Sequence, residues 1–225
     1  MSRIFHNFDN NKCSYNENSY DTILNSNSIS NNNQTNFNNN LNVQCDEIIE
    51  HTRQTFLALV EVIIPQTPRL AQEYGRIQYY GAKDLNIDEY LIMSFNNYPI
   101  PLTNSIAQLL DAAASQLFTI NGSLGLGIFI ALSPRDRMRV LISIEELAID
   151  LDRLPEPFKN DSELVLSVIE AIKRLTLMGY YSEWSGYGST RLDPPDRRVL
   201  EFFPISWQQV GYPGPSLGYR ALREL

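Results

Sequence analysis

Along most of the chain the apolar residues recur at helical spacing. Phe56, Leu59, Val60, Ile63 and Ile64 fall at the i, i+3, i+4, i+7, i+8 positions of one helical face. Asp46 is the expected N-cap of this helix, and Pro65 and Pro68 its stop. A shorter helix is predicted from Ile87 to about Phe95, closed by Pro99 and Pro101. Thr103 is then expected to cap a core helix with the stripe Ile106, Leu109, Leu110, Ala113, Ala114 and Leu117, whose alanines let a neighbouring helix approach closely. Ser133, Pro134 and Asp136 form a helix-start signature: a hydroxyl cap, a proline at the first helical position and an acid facing the unpaired amides. The stripe that follows, Val140, Ile144, Leu147, Ala148 and Leu151, predicts a helix running to Pro155. Another begins near Asp161 to Glu163 and carries Val165, Val168, Ile169, Ile172 and Leu175. Lys173 and Arg174 suit its last turns, and Gly179 is expected to end it in the left-handed conformation. No run alternates with period two, so the fold class predicted is mainly α, in an antiparallel or orthogonal helix array.

Both ends depart from this pattern. From Met1 to about Val43 about one residue in three is Asn, and the scattered apolar residues show no period. Such a segment buries too little surface to offset its ordering entropy, so residues 1–45 are expected to be disordered and 46–225 to form a single helical domain. The tail from Tyr180 to Leu225 is aromatic, punctuated by proline and glycine, and lacks a long periodic segment. Tyr180, Tyr181, Trp184, Tyr187, Phe202, Phe203, Trp207, Tyr212 and Tyr219 are too many for a solvated linker. They are expected to pack over an open end of the helical array, with a partner surface as the second reading.

Charge and composition narrow the function. The net charge of −8 over 225 residues, with no basic run, argues against nucleic-acid binding or adhesion to an anionic membrane. The uncharged window Ala112 to Leu132 approaches the length of a membrane span but is interrupted by Gln116, Asn121, Gly122, Gly125 and Gly127. A buried helix followed by a glycine-rich turn is expected there instead. The start of the chain has no basic, apolar and small-residue succession of a secretory signal, so cytoplasmic residence is expected. Cys13 and Cys45 supply neither a disulfide framework nor a four-ligand zinc site.

Little of the remaining chemistry points to catalysis. The glycines of NGSLGLG are ordered G-x-x-G-x-G and follow a helix, whereas a dinucleotide loop needs G-x-G-x-x-G after a strand. His6 and His51 are the only histidines, one in the Asn-rich segment and one expected near the charged face of the first helix. Glu145, Glu146, Asp150 and Asp152 read as a solvated face paired with Arg135, Arg139 and Arg153. Arg191 to Arg198, RLDPPDRR, reads as an ordered loop crosslinked by arginine and carboxylate, or as an anchor for a partner loop or an anion.

Three stretches carry a family resemblance. The run Leu175-Thr176-Leu177-Met178-Gly179-Tyr180-Tyr181, then Tyr187-Gly188, then Trp207-Gln208-Gln209-Val210-Gly211-Tyr212-Pro213-Gly214 resembles the tail of the gluconate 2-dehydrogenase subunit 3 family. Val62-Ile63-Ile64-Pro65 and Leu132-Ser133-Pro134-Arg135-Asp136-Arg137 are similar to that family's helix end and helix start, so the resemblance spans roughly Phe56 to Pro215. The chain departs from the family in its Asn-rich beginning, which shows no twin-arginine signal, and in a longer Arg-bearing insert between Gly188 and Trp207.

The resemblance implies a small helical accessory subunit that stabilises or assembles a flavin-dependent sugar or alcohol dehydrogenase. FAD is then expected in the large partner subunit and no cofactor in this chain, in keeping with a sequence that has no flavin, haem-attachment or iron-sulfur fingerprint. No residue is expected to be catalytic or to bind metal. The residues expected to meet the partner are Tyr180, Tyr181, Tyr187, Arg191, Trp207, Tyr212, Pro213 and Gly214. Two alternatives stand beside this one: an enzyme in its own right with a site lined by Tyr181, Tyr187 and Arg191, and a structural assembly protein using the Asn-rich end.

Overall fold

The structure is a computed structural model that describes residues 31–118 and 127–215, with side chains from Asp46 onward. The chain divides into two units, Met1–Glu50 and His51–Leu225. The described residues are mainly helical and contain no strand: α1 (Asn31–Ile63), α2 (Pro68–Tyr74), α3 (Ile87–Asn96), α4 (Thr103–Leu117), α5 (Ile128–Ala131), α6 (Pro134–Glu145), α7 (Ser162–Tyr181) and α8 (Ile205–Val210). Short 3₁₀ turns at Arg76–Tyr79, Lys83–Leu85, Leu151–Arg153 and Trp184–Thr190 link them.

Within the unit from His51 onward, α7 packs on α3 and α6, and α6 packs on α4. The apolar stripes meet as expected: Phe56, Leu59 and Val60 of α1, Ile106, Leu109 and Leu110 of α4, Val140 and Ile144 of α6, and Val165, Ile169 and Ile172 of α7 are all buried. Leu117, at the end of the α4 stripe, lies at the surface. Ser133 and Asp161 cap as their sequences predict, their side-chain oxygens accepting the amides of Asp136 at 3.2 Å and Leu164 at 2.9 Å. Of the cations expected to pair with the acidic stretch, Arg153 does so, with Asp150; Arg139 pairs instead with Asp136, and Asp152 and Glu145 pair with Lys159 and Lys173.

Several boundaries fall elsewhere than the pattern predicts. Helix α1 begins at Asn31, so Asp46 lies inside it and caps nothing. Asn is only modestly unfavourable in a helix, and the apolar stripe that set the expected start marks the packed stretch rather than the whole helix. Residues 1–30 of the Asn-rich segment lie outside the described residues, as do 119–126 of the expected glycine-rich turn and 216–225 of the tail. Pro68 starts α2 at its first position instead of ending α1. Thr103 is the first residue of α4, with its hydroxyl donated to Asn96 Oδ1 at 2.7 Å, while Leu102 occupies the cap.

Helix α6 stops at Glu145, short of Pro155, because Leu147 takes the left-handed conformation at φ 53°. The amides of Leu147 and Ala148 close on the carbonyls of Ile144 and Ser143, a Schellman ending formed without glycine. Gly179 has the opposite history. It lies buried inside α7, which continues to Tyr181 with Ser182 at the C-cap. What the position requires is the missing side chain: a Cβ there would stand 2.6 Å from the Tyr90 ring, and the Tyr90 ring packs edge-on against Trp184. Lys173 and Arg174 consequently sit before the last turn, paired with Glu145 and Glu170.

Candidate functional site: an aromatic face on the C-terminal tail

The tail folds around Trp207. Its ring is 5% exposed, its indole Nε1 donates to the Tyr181 carbonyl at 2.8 Å, and Phe203 and Tyr212 pack edge-on at centroid distances of 5.5 and 5.0 Å. The geometry follows from local sequence. Gly211 at φ 67° is the left-handed residue that ends α8, and the amides of Gly211 and Tyr212 return to the carbonyls of Gln208 and Trp207. This Schellman ending turns Tyr212 back over Trp207, the apolar contact that commonly accompanies the motif. Pro213 is exposed; Gly214, at φ 98°, brings the backbone beside the Trp207 and Phe203 rings.

Polar contacts fix α8 to the body. Tyr180 is buried, and its hydroxyl donates to Gln209 Oε1 at 2.6 Å while lying 2.7 Å from the Tyr80 carbonyl. Gln209 Nε2 donates to the carbonyls of Ile77 and Tyr80, at 2.9 and 3.1 Å, and Gln78 Nε2 donates to the Gln209 carbonyl at 3.0 Å. Burial raises the Tyr180 phenol above its ordinary pKa, with the Gln209 hydrogen bond opposing. Tyr180 is therefore a neutral structural donor, and Gln209, which no pattern in the sequence singles out, is the residue that joins α8, α7 and the 76–80 turn.

The residues expected to meet a partner thus separate into two kinds. Tyr180 and Trp207 form the buried support, with Gly214 against it. Phe203 and Tyr212 stand against Trp207 with 44% and 42% of their surface open; Tyr181, 49% open, packs its ring edge-on against Tyr180 at 5.1 Å, and Met178, Phe202 and Val210 are also exposed. Tyr187 and Arg191 belong to a different constellation. Arg191 holds Glu89 through two nitrogens at 2.5 and 3.1 Å and the Gly188 carbonyl at 2.8 Å; its hydrogen bond to Glu89 raises its pKa, with burial opposing. The Arg198 guanidinium lies over the rings of Trp184 and Tyr187, at 5.6 and 5.9 Å, and donates to the Asp193 carbonyl and the Met93 sulfur. RLDPPDRR is accordingly a crosslinked loop on α3, with both of these guanidinium groups already engaged.

A second polar centre lies in the core. His51, expected near a charged surface, is turned inward, its side chain 9% exposed and Nε2 2.8 Å from Asp111 Oδ2. The Asp111 carboxylate also accepts the amides of Gly127 and Phe129, each at 2.8 Å, and so anchors the start of α5. Arg137 secures its other end by donating to the Phe129 and Ile130 carbonyls and to Glu61. These are structural roles, signalled in the sequence only by single polar residues on apolar stripes.

Elsewhere a half-open cleft of about 250 Å³ is lined by Leu117, Phe118, Arg139, Ile142, Ser143 and Glu146. Its cation is engaged, with Arg139 over the Phe118 ring and paired to Asp136. Among the described residues no cluster of three or more His, Cys, Asp or Glu side chains is placed to hold a metal ion. No described helix is long and apolar enough to cross a membrane. Comparison with protein-family models, with curated proteins and with solved structures finds no match for this chain.

Proposed function

We propose that this chain is a non-catalytic accessory subunit of a flavin-dependent sugar or alcohol dehydrogenase, which it binds and stabilises through the aromatic face of its tail. The observation that carries the reading is that two stretches of the resemblance are joined directly, Tyr180 to Gln209 and Tyr181 to Trp207. The buried Trp207 supports two half-open aromatics, Phe203 and Tyr212. Interfaces concentrate their binding energy in such aromatic anchors backed by fixed neighbours. FAD belongs to the partner in this reading, and this chain contributes shape and apolar area.

The test is co-expression with the large flavoprotein subunit of a sugar dehydrogenase, followed by affinity measurement. Tyr212→Ala is expected to weaken association by about 2 kcal/mol or more while the chain stays folded. A purified chain that carries flavin by itself, or that reduces a dye with an aldose or polyol when no second protein is present, overturns the reading in favour of a stand-alone enzyme.

A further inference from the structure

We draw no further inference here: the strongest candidate, the half-open face that Phe203 and Tyr212 form against Trp207, belongs to the site already described, and nothing in the structure shows what covers it.

Discussion

Asp88 offers a quantitative test of the packing around α3. It is the second residue of that helix, 3% exposed, and one of its carboxylate oxygens has no hydrogen-bond partner. Burial raises its pKa from 3.8 to about 6, and the neighbouring Glu89 adds to the rise. The backbone amides of the first helical turn and Arg53 act in the opposite direction. Between these two pH values the folded chain holds a proton that the unfolded chain has released. Stability therefore falls as pH rises from about 4 through about 6. A displacement of about two pH units corresponds to about 3 kcal/mol, all of it lost by pH 7. Asn at this position keeps the shape and does not titrate. Asp88→Asn is thus expected to exceed wild type by up to about 3 kcal/mol at pH 7, with the advantage shrinking to a small constant near pH 4. Urea unfolding of both proteins at unit pH intervals measures the difference directly, and subtraction removes the other carboxylates common to both. A difference independent of pH, or one that narrows as pH rises, refutes the reasoning.

Three further substitutions probe the scaffold. Gly179→Ala gains about 1 kcal/mol of helix propensity but drives a methyl into the Tyr90 ring, so a net loss within the range of about 1 to 3 kcal/mol for overpacking is expected in thermal unfolding; a stabilised variant means that Tyr90 yields freely. Asp111→Ala strands two amides and His51, and is expected to cost about 3 to 5 kcal/mol, with loss of amide-exchange protection at Gly127 and Phe129 as the local signature. Trp207→Ala removes the support of the aromatic face and is expected to cost about 3 to 5 kcal/mol of stability. Unchanged stability together with weakened partner binding assigns Trp207 to the interface instead.

What could be read from the sequence was local. Ser133-Pro134-Asp136 and Asp161 carry their capping partners within three residues, and the stripes of α4, α6 and α7 repeat often enough to fix which face is buried. The errors arise where a distant neighbour decides. Leu147 leaves the helix although its spacing continues the stripe, because the chain turns there toward the next element and its side chain still reaches the core. Gly179 looks like a helix end and is instead the clearance for a ring on α3. His51 and Asp111 are 60 residues apart and meaningless singly. For the tail, sequence indicated that the aromatics must pack but not which would be support and which surface; that division follows from the fold of Gly211 and the grip of Gln209.

The contacts that hold α8 also bear on the order in which the molecule assembles. Gln209 and Gln78 bond across separations of 129 to 132 residues, and Glu89 reaches Arg191 across 102. Closing such long loops costs entropy before any contact repays it, so pairings of this kind form late, after helices with near neighbours have packed. The aromatic face therefore comes into existence at the end of folding. Local opening is expected to begin in the same place, because six residues of helix are held by one indole and a few amide hydrogen bonds. Amides of α4 and α7 are expected to exchange slowly, while those of α8 exchange through fluctuations that leave the rest of the body closed. The aromatic face can then be lost and regained without the protein ever unfolding.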